Sequence, residues 1–192
     1  FIYLISPNKI LSNQFYEDLR KIFKTRKISF FQLRLKNTRI EKKILIGKKV
    51  KKICKKFKVK FIINDDPFLT KIINADGCHL GQNDMCIRKA RKIIKNKIIG
   101  ITCHNSIKLA KNAIRNKADY IAFGAFNNSK TKKTSFKANV NILKSIKKIT
   151  NIPVIAIGGI NQKNYKKLLL NNANFLAISG YIWNNKKYKP TE

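Results

Sequence analysis

A chain of 192 residues with 44% hydrophobic content is long enough to bury one substantial core and short for two. Its charge is lopsided, 43 Lys and Arg against 9 Asp and Glu for a formal +34, but the cations run through the whole chain among abundant Ile and Asn and form no nucleic-acid-binding motif, so they read as solvated faces. No run of about 18 apolar residues could span a membrane, and Cys54, Cys78, Cys86 and Cys103 form neither a CxxC pair nor a zinc pattern with histidine.

The opening stretch, Phe1 to Ser6, lacks the basic start and small-residue cleavage site of a signal peptide. The expectation is one cytoplasmic domain over 1–192 with reduced thiols, no membrane and no specific nucleic acid.

Short apolar runs then recur, each followed by a polar turn and a stretch of helical periodicity, the pattern of βαβ units. Eight strands are predicted in chain order: FIYLIS from Phe1, FFQLR from Phe30, FIIN from Phe61, GCHLG from Gly77, IIGIT from Ile98, YIAFG from Tyr120, PVIAIG from Pro153 and FLAIS from Phe175. Amphipathic segments lie between them, at Asn13 to Lys24, Ile40 to Lys56, Ile87 to Ile94, Ile107 to Asn116, Asn139 to Lys148 and Asn164 to Leu170. Eight units fit a doubly wound sheet or a closed (β/α)8 TIM barrel, and 192 residues is short for the latter, which usually takes about 250. Polar and glycine-containing clusters nevertheless follow nearly every strand, and only a barrel gathers all of them on one rim. The expected α/β fold class is therefore a single barrel, with truncation at the last helix an open expectation because only Tyr181 to Glu192 follow the eighth strand.

Strand alternation puts Gln32, Arg34 and Lys36 on one face, an arginine fork beside a lysine point charge that suits a phosphate or diphosphate. Acids are scarce enough for their positions to inform. Asp65 and Asp84, after the third and fourth strands, are the preferred pair for Mg2+, which takes one or two protein carboxylates plus substrate oxygens and water. Asp76 reads as a turn residue, and Asp66 as the cap of a short helix starting near Pro67. The loop from Gly124 to Lys132 can fold over an anion, and Gly158-Gly159 and Ser179-Gly180 end strands where barrels build phosphate sites from backbone N–H groups. Two anion sites on one rim imply two phosphorylated substrates. His79 and His104, the only histidines, both fall near that rim, where proton transfer is a secondary reading.

The stretches QLRLK from Gln32, INDD from Ile63, ADGCHLGQND from Ala75, IIGITCH from Ile98, ADYIAFGAFNNSKTK from Ala118 and IPVIAIGGI from Ile152 together resemble the successive rim motifs of thiamine phosphate synthases, in order and across essentially the whole chain. The resemblance implies that Gln32, Arg34, Lys36, Asn64, Thr102 and Lys132 bind an aminopyrimidine diphosphate, with Arg34, Lys36 and Lys132 acting on the departing diphosphate. It implies Mg2+ on Asp65 and Asp84, and a thiazole phosphate on Ser129, Lys130, Thr131, Gly159, Ser179 and Gly180. The family's habit also allows a homo-oligomer. Three departures stand out: Thr102 replaces a serine, Asn127-Asn128-Ser129 replaces a Phe-Pro-Thr run, and Gly180 replaces a serine. They bear on thiazole-phosphate affinity more than on the diphosphate chemistry. The alternatives are a thiazole tautomerase-like isomerase of the same fold, which tends to lack the full diphosphate and Mg2+ set, and a non-catalytic polyanion-binding barrel motivated by the +34 charge.

Overall fold

The computed structural model describes residues 1–128, 136–185 and 187–191. Strand and helix alternate throughout: β1 (Ile2–Ile5), α1 (Gln14–Lys24), β2 (Ile28–Leu33), α2 (Ile40–Lys56), β3 (Lys60–Asn64), α3 (Pro67–Ile73), β4 (Gly77–Leu80), α4 (Ile87–Ile94), β5 (Ile98–His104), α5 (Ile107–Arg115), β6 (Tyr120–Phe123), α6 (Asn141–Lys147), β7 (Val154–Ile157), α7 (Tyr165–Leu170), β8 (Phe175–Ile178) and α8 (Gly180–Trp183). Each strand pairs in parallel with the next, and β1 pairs with β8, so the sheet closes into a barrel. The barrel fits this short chain because several helices are brief: seven residues in α3 and α6, six in α7 and four in α8.

Both faces of every strand are buried, which is why the strands read as near-continuous apolar runs. Outward residues such as Leu4, Phe31, Phe61 and Ile63 pack under α1 to α3, while Cys78, Ile99, Ile121 and Val154 pack under α4 to α7. Inward residues, among them Tyr3, Ile5, Ile62, Tyr120, Ala122 and Ile155, fill the interior. Gly47 lets α2 approach α3, since a Cβ there would overlap Ile73. On α2 the residues Lys42, Lys48, Lys49, Lys52, Lys55 and Lys56 face solvent, while Ile46, Val50, Ile53 and Cys54 are buried. There the charge sits on solvated helix faces.

The short last helix has a compensating anchor. The Trp183 indole donates from Nε1 to the Ile5 carbonyl at 2.6 Å, and its ring packs on Phe15 with centroids 5.3 Å apart, tying the C-terminal segment to β1 and α1.

The closed end of the barrel carries a repeated clasp. Asp76, Asp119 and Asn174 each precede an even-numbered strand, and their side-chain oxygens accept from the N–H groups of Phe61 (2.8 Å), Ile99 (2.8 Å) and Val154 (2.9 Å) at the start of the preceding strand. Each follows a buried alanine, Ala75, Ala118 or Ala173. Asp76 is thus a structural residue, as its position before Gly77 suggested, and Asp66 caps α3 by accepting from Leu69 N–H at 2.9 Å. Asp76→Ala leaves the Phe61 N–H without its partner and is expected to lower stability by about 1 kcal/mol. Chemical denaturation should show this, with turnover unchanged because Asp76 lies at the end opposite the rim; a loss of turnover at wild-type stability would contradict the purely structural role.

Candidate active site

Parallel strands send their C-terminal ends to one rim, and the candidate binding and metal residues that lie among the described residues stand there. Gln32 is buried near the end of β2, with its backbone carbonyl accepting from Ser6 N–H at 2.9 Å. Arg34 follows the strand, half-buried, with Nη1 donating to Asn8 Oδ1 at 2.6 Å and its backbone N–H held by Ser6 Oγ at 2.9 Å. Burial depresses the Arg34 pKa from its usual value, the nearby Asp65 carboxylate acting in the opposite direction; guanidinium stays charged regardless. Lys36 is exposed and reaches across to Asp65, Nζ to Oδ2 at 3.4 Å.

Asp65 follows β3 in the left-handed region, at φ 66°, and donates its backbone N–H to the His79 carbonyl at 2.8 Å. A short polar side chain tolerates that conformation better than a β-branched one. Asp84 folds back in the loop after β4, where Oδ2 accepts from Gly81 N–H at 2.7 Å. Burial raises the Asp84 pKa, as does the Asp65 carboxyl within hydrogen-bonding reach, while Gly81 N–H and Lys36 oppose the rise. Two carboxyl groups so placed favour either a shared proton or a cation between them. Among the described residues no cluster of three or more His, Cys, Asp or Glu is placed to hold a metal ion. A two-carboxylate site is what Mg2+ with substrate oxygens needs.

Inside the mouth lies a polar chain that the sequence reading did not assemble. Gln32 Nε2 donates to the Tyr3 hydroxyl at 3.0 Å, the Tyr3 and Tyr120 hydroxyls are 2.8 Å apart, Tyr120 meets His79 Nδ1 at 2.9 Å, and His79 Nε2 meets Thr102 Oγ1 at 2.8 Å. Both tyrosines are buried, and burial pushes both phenol pKa values up, so they stay protonated. Tyr3 sits two residues before Ile5 and Tyr120 two before Ala122, so strand alternation was the signal that points both inward.

On the opposite side of the rim, Gly158 and Gly159 have φ of 104° and 57°, and a Cβ on Gly159 would overlap the backbone of Asn127 and Asn128, so glycine is required. Ser179 donates its hydroxyl to the Ser6 carbonyl at 3.1 Å, and Gly180 opens α8. Ser129, Lys130, Thr131 and Lys132 lie outside the described residues. The flanks of that segment stand at the rim: Asn127 N–H bonds the Gly158 carbonyl at 3.1 Å, and Phe136 stacks on His104 with centroids 4.1 Å apart. A cavity of about 570 Å³ elsewhere, lined by Tyr16, Arg20, Lys49 and Lys52, lies between α1 and α2 on the outer face, away from this chemistry.

A closed parallel (β/α)8 barrel with cations, a carboxylate pair and glycine turns at the C-terminal ends of its strands has the architecture of a barrel enzyme acting on phosphorylated ligands. The chain belongs to the thiamine monophosphate synthase family, whose model matches residues 2–182. It is 68% identical over 192 residues to the thiamine-phosphate synthase of Pelagibacter ubique (strain HTCC1062), covering 100% of this chain and 93% of that one. To that of Nitrosomonas eutropha it is 38% identical over 153 residues, 79% of this chain and 72% of the other. Among solved structures, the thiamine phosphate pyrophosphorylase from Pyrococcus furiosus superposes with a TM-score of 0.85 at 26% identity, over 96% of this chain and 88% of that one.

Because the folded state holds the Asp84 proton more tightly than the unfolded chain does, this group's contribution to stability falls as pH rises through the carboxylate range. Asp84→Asn removes the charge and keeps an oxygen for Gly81 N–H. In EDTA at neutral pH it is expected to melt at or above the wild-type Tm, and a marked drop would count against a carboxylate held at a cost.

Proposed function

We propose that this barrel makes thiamine phosphate by joining an aminopyrimidine diphosphate to a thiazole phosphate with release of diphosphate. The observation that supports this most is the convergence of Gln32, Arg34, Lys36, Asn64, Thr102, Asp65 and Asp84 on one rim, with Lys36 paired to Asp65 and Asp65 beside Asp84. The pair Asp65 and Asp84 would hold Mg2+, which when bound adds positive charge beside the departing diphosphate. Arg34 and Lys36, joined by Lys132, bind the diphosphate and neutralise the charge that grows as the carbon–oxygen bond breaks, the diphosphate leaving with the bonding pair. The methylene cation so formed is stabilised by the amino group of the pyrimidine. The thiazole nitrogen then supplies its lone pair to form the carbon–nitrogen bond, and no proton has to be removed. Asn64 and Gln32 orient the pyrimidine.

Ser129, Lys130 and Thr131 with Gly159, Ser179 and Gly180 hold the thiazole phosphate in this reading. The Ser179 hydroxyl already donates to Ser6, so the backbone N–H groups at Gly159 and at the start of α8 carry more of that contact. This suits a chain with glycine at position 180. No helix among the described residues is long and apolar enough to cross a membrane. Free thiols, with Cys54, Cys78 and Cys103 buried and Cys86 exposed, support a cytoplasmic setting.

The test is to supply both substrates with Mg2+ and measure thiamine phosphate and diphosphate with and without EDTA. Both products are expected, abolished by EDTA, and folded protein that binds the thiazole phosphate without turnover would favour the isomerase reading. Asp65→Ala and Arg34→Ala are each expected to cut kcat roughly hundredfold or more with the fold intact by circular dichroism. A near-wild-type rate in either folded variant would remove that residue from the machinery.

A further inference from the structure

The polar chain in the barrel mouth has a direction. A phenol donates one proton, and Tyr3 already accepts from Gln32 Nε2 at 3.0 Å, so its own proton goes to Tyr120, 2.8 Å away. Tyr120 then donates to His79 Nδ1 at 2.9 Å, which leaves the imidazole proton on Nε2 to be donated to Thr102 Oγ1 at 2.8 Å. Two ends remain. At one, the Thr102 hydroxyl retains a proton to give. At the other, no buried side-chain nitrogen or oxygen among the described residues lacks a partner, so the Gln32 amide oxygen, which accepts nothing inside the barrel, faces the wet mouth. The cations of Arg34 and Lys36 on the same strand end favour an oxygen there over an NH2 group.

The fold is built around this chain. Tyr120 pairs in register with Gly100, and a Cβ on Gly100 would overlap the tyrosine ring and its hydroxyl, so the glycine makes the space in which the phenol lies. The Tyr120 ring stacks on His79 with centroids 5.6 Å apart and meets Tyr3 edge-on at 5.8 Å, and Phe30 supports Tyr3 from below at 5.3 Å. Interior hydrophobes would fill the same volume without hydroxyls, so packing alone does not call for two buried phenols in contact.

We propose that Tyr3, Tyr120 and His79 are positioning residues that polarise one hydrogen-bond chain across the barrel, so that Gln32 presents an acceptor and Thr102 a donor to the two ends of the reacting diphosphate ester. The proposal rests on the substrate assignment made above. As the carbon–oxygen bond breaks, positive charge spreads to the pyrimidine amine and negative charge to the diphosphate. An aligned chain, with its acceptor end at the amine and its donor end at the diphosphate, stabilises that separation without reorganising, and each bond in the chain strengthens its neighbours. None of the three residues needs to touch substrate.

The chain can be read with and without turnover. With only His79 and His104 to assign, nitrogen-15 NMR of histidine-labelled wild-type protein is expected to show His79 carrying its proton on Nε2 with Nδ1 as acceptor. Tyr120→Phe, which keeps the ring and breaks the chain at its centre, is expected to lower kcat about tenfold and leave the KM for thiazole phosphate unchanged, the loss of roughly one hydrogen bond in the transition state. Tyr3→Phe added to Tyr120→Phe should cost little more, because the chain is already broken. His79→Gln, which can still donate to Thr102, should retain more activity than His79→Leu. An active wild type with the proton on Nδ1, or with Tyr120→Phe matching it in kcat, overturns the directed chain and leaves the active-site reading in place. An inactive wild type with His79 protonated on Nε2 does the reverse, overturning the substrate assignment while supporting the chain.

Discussion

Closing eight parallel strands into one hydrogen-bonded ring leaves the sheet without an edge and sends every strand's C-terminal end to the same rim. Residues as far apart in the chain as Arg34, Asp65, Asp84, Thr102 and Gly159 can meet only because of that closure. It also explains why the inward side chains divide so sharply along the barrel axis. Phe30, Ile98 and Phe175 fill the closed end, whereas Gln32, Asn64, His79 and Thr102 occupy the mouth, where polar atoms reach either one another or water.

Acid is scarce in this chain, and the structure accounts for where it is used. Asp66 caps a helix, Asp76 and Asp119 clasp strand N–H groups at the closed end, and Asp65 and Asp84 stand together at the rim. Glu17, Asp18 and Glu41 lie on the first turns of helices or beside them, Glu17 paired with Arg20. Against so many lysines a carboxylate left at a rim of cations is informative. In the function proposed above, a diphosphate with a divalent cation would satisfy both signs at once.

The rim and the interior obey different electrostatic rules. Lys36 and Asp65 are both substantially exposed, so their 3.4 Å pair is weak and free to exchange partners with a ligand. The chain from Gln32 to Thr102 is mostly buried, where an unmet donor would be costly and a fully met one is rigid. The rim charges can thus change partners while the hydrogen-bonded groups beneath them keep theirs.

Periodicity alone determined the eight strands, the α/β alternation and most helix limits, Ile40 to Lys56 and Ile87 to Ile94 to the residue, because burial of both strand faces and one helix face writes itself into hydrophobic spacing. The rim residues were legible too, since in a barrel whatever follows a strand lies at its mouth. Local sequence also marked Asp66 as a cap. Tertiary structure alone decided the pairing of Tyr3 with Tyr120, 117 residues apart, the room that Gly100 leaves for that phenol, the anchoring of a four-residue last helix by Trp183, and the Asn8 contact that orients Arg34. Each depends on which strands become neighbours and in what register, and strand spacing carries no information about a partner on the far side of a barrel.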